Sequence, residues 1–109
     1  MLTILTETAD QSSLDVYVKN DAPLTVLYFT ATWCGPCKAI APTVQSLADK
    51  YPAVNFYKID VDELEELSMH AGVNCMPTFQ LYKNGENVQK LEGADPDGLA
   101  DMIKNNLLL

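Results

Sequence analysis

The stretch FTATWCGPCKAIAP, Phe29 to Pro42, decides how the rest of the chain is read. It follows directly on LTVLYFT (24–30), a run apolar at nearly every position, as a strand covered on both faces should be. Beyond it a helical pattern runs from about Cys34 to Tyr51. Two of the chain's three cysteines, Cys34 and Cys37, therefore fall where a buried strand hands over to a helix. Pro42 lies inside that helix and should kink it, because its ring removes the hydrogen bond to the Lys38 carbonyl.

Short β-type runs and helical patterns alternate outward from this junction. LTILT (2–6) reads as a strand. Ser12 or Ser13 could cap a helix to about Asn20, with Leu14, Tyr17 and Val18 on its apolar face. VNFYKIDV (54–61) is a further strand, and DELEELSMHAG (62–72) a short helix stopped by Gly72. In TFQLYKNGENVQKLEG (78–93) two alternating runs flank Asn84-Gly85, a tight hairpin turn. DPDGLADMIKNNLLL closes with a helix, acidic at its start and carrying Lys104 late, both favourable to the helix dipole. The order predicts an α/β fold, a mixed sheet of about five strands flanked by four helices, over a single domain spanning 1–109.

Composition sets limits on function. The 109 residues are 48% hydrophobic and 20% charged, enough for one core and too few for two. Seven lysines, no arginine and fifteen carboxylates give a net charge of −8. No basic face can be assembled, which excludes nucleic acid. The opening MLTILTETAD has no basic residue and a short apolar run, unlike a secretory signal. No apolar run reaches membrane-spanning length. An odd number of cysteines argues against a secreted disulfide scaffold and for a reducing, cytoplasmic setting.

Three chemistries suit the cysteine pair. As a staple it closes a loop of four residues and contributes only about 2 kcal/mol in the chain-entropy account. As a zinc clip it would need His70 and Cys75, which come from different predicted elements. As a redox pair it accounts for its surroundings. At a helix N-terminus, unpaired amides and the helix dipole stabilise a thiolate at Cys34. Lowering a thiol pKa from about 8.5 to about 7 raises its thiolate fraction at neutral pH from about 3% to about half. Cys37 follows one turn later on the shielded side. Gly35 lets a partner backbone approach, and Pro36 stiffens the turn. On this reading the outer cysteine attacks and the inner one resolves.

WCGPC (33–37) is similar to the active-site motif of the thioredoxin family. CMPTF (75–79) resembles the family's cis-proline segment, Asn84-Gly85 its hairpin, Gly93-Ala94 its last groove loop and Pro42 its kinked helix. The resemblance spans the whole chain in order. It implies the thioredoxin fold and reduction of protein disulfides through a mixed disulfide, with no bound cofactor or metal. Regeneration would come from an NADPH-dependent thioredoxin reductase, and the clients would be disulfide-containing proteins such as peroxiredoxins and reductases. By the same resemblance Cys34 is the nucleophile and Cys37 the resolving thiol. Trp33, Met76, Pro77, Gly93 and Ala94 would line an uncharged groove for an extended client segment, with the Met76–Pro77 bond cis. The protein is expected to act as a monomer.

Three positions stand apart. Most thioredoxins carry a buried aspartate behind the inner cysteine where this chain has Tyr28, and an aromatic residue where it has Thr30. A phenol is a poor base at pH 7, so help in deprotonating Cys37 is expected from Lys58 or Asp60, through water. Cys75 reads as a semi-buried thiol at the groove rim, open to an oxidative dimer or a glutathione adduct. DVDELEE (60–66) fails as a calcium loop, since the required glycine position holds Glu65. A non-catalytic binding module of the same fold is the competing function, and it would have no need of both cysteines.

Overall fold

A computed structural model describes residues 2–108. In chain order the elements are β1 (Leu2–Ile4), α1 (Asp15–Val18), β2 (Thr25–Thr30), α2 (Gly35–Lys50), β3 (Asn55–Asp60), α3 (Glu65–His70), β4 (Thr78–Lys83), β5 (Glu86–Glu92) and α4 (Pro96–Leu107). The five strands form one mixed sheet in the order β1-β3-β2-β4-β5. β3 runs parallel to both β1 and β2, while β4 is antiparallel to β2 and to β5. This is the α/β architecture of five strands and four helices that the pattern predicts.

β2 occupies the middle of the sheet and is buried at all six positions, which is why its sequence is apolar rather than alternating. Its side chains still divide by face. Val26 and Tyr28 join Phe56, Phe79 and Leu81 under α2 and α4, where Ile40, Val44, Leu99 and Ile103 complete the larger core. Leu27 and Phe29 join Ile59 and Tyr82 on the opposite face, under Tyr17 and Val18 of α1, Leu64 just before α3 and Leu67 within it.

The local signals act largely as read. Asn84 and Gly85 both have positive φ, 52° and 83°, the pair of values a two-residue hairpin turn demands. α4 is capped by Asp95, whose carboxylate accepts from the Gly98 N–H at 2.9 Å, with Pro96 in its first turn. α2 continues through Pro42 without a break.

Three elements are shorter than the sequence predicts. β1 ends at Ile4 rather than 6. α1 is one turn starting at Asp15 with no side-chain cap; Ser13 instead accepts from the Asp15 N–H at 3.1 Å. α3 begins at Glu65, because the preceding acids are spent on a turn in which Asp60 Oδ1 accepts from the Asp62 and Glu63 N–H groups at 2.8 and 3.3 Å. The same helix ends at His70, two residues before Gly72 takes its positive φ of 70°. Among the described residues no helix is long and apolar enough to cross a membrane.

Candidate active site

The end of β2 delivers the chain to Ala31, whose carbonyl accepts from the Cys34 N–H at 3.2 Å. This tight turn presents Cys34 as the N-cap of α2, with φ −87° and ψ 111°. The position normally filled by a serine or aspartate oxygen is here filled by sulfur. Cys34 Sγ accepts from the Cys37 N–H at 3.1 Å. Pro36 occupies the first turn, where its missing N–H leaves no helix bond unmade.

Cys34 and Cys37 are joined as a disulfide, with their Cα atoms 5.2 Å apart. Residue for residue, Cys34 is 5% exposed and Cys37 1%. Both are enclosed by Ala31, with Val61 and Met76 packed against them. The asymmetry between them is therefore less one of exposure than of setting: the Cys34 sulfur takes the helix N-terminal amide, and Cys37 is turned inward. A sulfur so placed is stabilised as an anion when the bond opens.

Across from the pair, the Met76–Pro77 bond is cis. The Met76 carbonyl oxygen lies 3.7 Å from Cys34 Sγ. Gly93, with φ 106°, donates its N–H to the Pro77 carbonyl at 2.9 Å and so ties the end of β5 to the cis-proline segment. Positive φ here suits glycine and few other residues. Trp33 stands beside the pair, 66% exposed, and its indole N–H donates to Asp62 Oδ2 at 2.8 Å.

Behind Cys37, Tyr28 is only 2% exposed and its ring stacks on Phe79 at 5.0 Å between centroids. Its hydroxyl lies 3.3 Å from both the Cys37 carbonyl oxygen and Thr30 Oγ1, and donates to one of them. Burial holds this phenol above the ordinary value of 10.0, against a smaller opposing pull from Thr30. Tyr28 is therefore uncharged throughout the neutral range. Lys58 and Asp60 stand beside Tyr28 and Thr30 on the neighbouring strand.

Two other residues singled out by the sequence lie apart from the pair. Cys75 is a free thiol and is exposed, not semi-buried as its sequence context suggests. Its sulfur lies 3.3 Å from Glu92 Oε2, at the mouth of the hairpin. His70, a partner in the zinc alternative, faces Glu66 at 3.7 Å on the exposed side of α3. With Cys34 and Cys37 bonded to each other and Cys75 facing Glu92, the three cysteines are not arranged as one ligand set.

Asp62 is the site residue that the sequence reading does not single out, since by pattern it is only part of an acidic run. A signal for it exists in the strand order. β2 and β3 are adjacent parallel strands, so the segments leaving their C-terminal ends should meet. Trp33 and Asp62 lie in those two segments.

A disulfide at a helix N-terminus, faced by a cis-proline loop, defines the site of a protein dithiol–disulfide oxidoreductase. The Thioredoxin family profile matches residues 5–105. Thioredoxin-1 of Schizosaccharomyces pombe is 46% identical over 101 residues, covering 93% of this chain and 97% of that protein. Among solved structures, thioredoxin NaTrxh from Nicotiana alata superposes with a TM-score of 0.87 at 38% identity, covering 96% and 91% of the two chains. A second, with TM-score 0.83 and 38% identity, covers 95% and 94%. It comes from work on thiol resolution in yeast mitochondrial 1-Cys peroxiredoxin via glutathione/thioredoxin systems. The chain belongs to the thioredoxin family, and its Cys34–Cys37 pair is the redox centre with which it exchanges electrons with protein disulfides.

Proposed function

We propose that Cys34 is the attacking thiolate and Cys37 the resolving thiol of a general protein-disulfide reductase, recycled by an NADPH-dependent thioredoxin reductase. The observation that carries the division of roles is the Cys37 N–H aimed at Cys34 Sγ at 3.1 Å. That donor stabilises negative charge on Cys34 and on no other sulfur. Cys34 attacks a client disulfide and releases one client thiolate. Cys37 then attacks Cys34 Sγ and releases the other, closing the internal disulfide.

Trp33, Gly35, Pro36, Met76, Pro77, Gly93 and Ala94 frame the groove in this proposal. The Met76 carbonyl beside Cys34 Sγ supports it, because an extended client segment needs backbone partners next to the bond it exchanges. Lys58 and Asp60 belong to the proton path of Cys37. Cys75 serves as an exposed regulatory thiol and the site of an oxidative dimer. The working form is a monomer of a single domain, 1–109, in the cytoplasm, where the redox poise keeps a spent pair reducible. Its clients are disulfide-bearing proteins; the relative from the peroxiredoxin work makes peroxiredoxins the first to try.

The test is turnover of a model protein disulfide with NADPH and a thioredoxin reductase, followed by trapping. Cys34→Ser should abolish turnover. Cys37→Ser should hold clients as stable mixed disulfides. Equal recovery of trapped clients from both variants would refute the assignment of roles.

A further inference from the structure

Behind the redox pair opens a cleft of about 140 Å³. The residues of it that bear on proton transfer are Tyr28, Thr30, Cys37, Lys38, Lys58 and Asp60. Sheet register brings four of these together: parallel pairing sets Lys58 beside Tyr28 and Asp60 beside Thr30. Alternation along each strand puts all four on the face that α2 covers, the face that also carries Val26 and Phe56. The volume is well above the ~10–15 Å³ that one water requires, and the lining supplies polar partners.

The resolving step needs a proton acceptor on this side. A free thiol near pKa 8.5 is only about 3% ionised at pH 7, and a buried thiol is ionised less. Most groups lining the cleft cannot take the proton. Tyr28 is a neutral phenol whose burial opposes ionisation. The ammonium groups of Lys38 and Lys58 have no acceptor lone pair, and the Thr30 hydroxyl is a weak base. Asp60 contributes the one carboxylate. Its Oδ1 is held by the Asp62 and Glu63 N–H groups. Its Oδ2 makes no hydrogen bond within the described residues and is left for another partner.

Resting on the role given to Cys37 above, we propose that Asp60 is the proton acceptor for the resolving step, reached across this cleft through water. The proton passes from Cys37 Sγ to the Asp60 carboxylate. The Cys37 thiolate then forms its bond to Cys34 Sγ as the Cys34–client bond breaks. The departing client thiolate takes up the proton that Asp60 gives back, so Asp60 ends as it began and the only oxidant is the client disulfide. The charged groups around Asp60 are Lys38 from α2, Lys58 from its own strand, and Asp62 and Glu63 from the turn after it; β2 presents only the neutral Tyr28 and Thr30.

The experiment uses the reduced Cys75→Ser protein, so that the exposed Cys75 cannot form an adduct of its own, mixed with excess glutathione disulfide, quenched in acid at intervals and weighed by mass spectrometry. Formation of the glutathione adduct reports attack by Cys34, and its loss to the internal disulfide reports resolution. Asp60→Asn retains an oxygen for the Asp62 and Glu63 N–H groups, so the turn is kept while the base is removed. Attack should stay within about threefold of the parent. Resolution should slow at least tenfold at pH 6–7, the lower end of what positioned bases supply. The difference should narrow steadily as pH rises above neutrality, as a growing share of Cys37 ionises unaided. Resolution unchanged by Asp60→Asn, or slowed equally at every pH, would overturn the proposal. The role of Cys37 is judged separately: a Cys37→Ser protein that still lost its adduct would refute that role first.

Discussion

Replacing Tyr28 by aspartate tests why the centre of β2 is neutral. Two costs can be separated. The first is packing. Tyr28 is 2% exposed and stacked on Phe79, and losing a buried aromatic ring costs about 3–5 kcal/mol when alanine replaces it. Aspartate fills part of the space, so about 3 kcal/mol is expected. The second is charge. A fully buried carboxyl shifts up by 3–5 pKa units; here the polar end faces the cleft, so a rise of about 2 units is expected, equivalent to about 2.7 kcal/mol. A raised carboxyl pKa means the folded state holds the proton longer than the unfolded chain. Stability therefore falls as pH rises from the unfolded value near 3.9 to the folded value near 6, and is flat above it. The deficit relative to the parent should be about 3 kcal/mol near pH 4 and nearly 6 at pH 7, much of the ~5–15 kcal/mol that holds a domain together. Urea unfolding of the oxidised proteins between pH 4 and 8 measures it, with the parent subtracted at each pH. Tyr28→Phe keeps the ring and loses two long hydroxyl contacts, so it should cost no more than about 1.5 kcal/mol with no slope in this range. A deficit in Tyr28→Asp that does not change with pH would refute the reasoning, because the carboxylate would then be hydrated as well as it is in the unfolded chain.

Two further outcomes are expected. Trp33 is the only tryptophan and abuts Cys34, so its emission should change on reduction while far-UV circular dichroism does not. Asp62→Ala should alter that emission but lower stability by less than about 1 kcal/mol, since a single exposed hydrogen bond is involved; an emission indifferent to both changes would remove Trp33 from the pair's neighbourhood. Mild oxidation should convert part of the protein to a covalent dimer through exposed Cys75 while Cys34–Cys37 closes internally. Non-reducing electrophoresis of Cys75→Ser should show monomer alone with turnover kept, and dimers persisting in that variant would assign them to another cysteine.

How much of the fold is legible in the sequence depends on where its physics is local. The Asn84-Gly85 turn and the burial of 24–30 each depend on a residue and its immediate neighbours, and each forms as read. The bounds of α1 and α3 are not legible, because side chains near both starts prefer to bind nearby amides outside a helix. Ser13 and Asp60 both do so. Cys34 and Cys37 can be found because strand, cysteine and helix are consecutive. Asp62 cannot be found that way, since its partner Trp33 is 29 positions away and meets it only through strand pairing. The exposure of Cys75 is of the same kind, set by how the cis-proline loop enters β4.

The register that hides Asp62 also explains how the site can do without an acid at 28. β2 and β3 end side by side, so Thr30 and Asp60 share a level at the rim of the sheet, while Tyr28 and Lys58 lie one step deeper. A carboxyl at 28 would be ringed by Phe79, Val26 and Phe56 of the larger core, where burial opposes its charge. The carboxyl at 60 instead stands at the strand end, with one oxygen held by two backbone amides. Moving the base outward by one pair of residues therefore exchanges an acceptor that must be desolvated for one that keeps polar partners. The Tyr28 ring meanwhile fills the core position with no charge to desolvate. On this geometry no ionisation from the core position at 28 should appear in the pH profile of the resolving step.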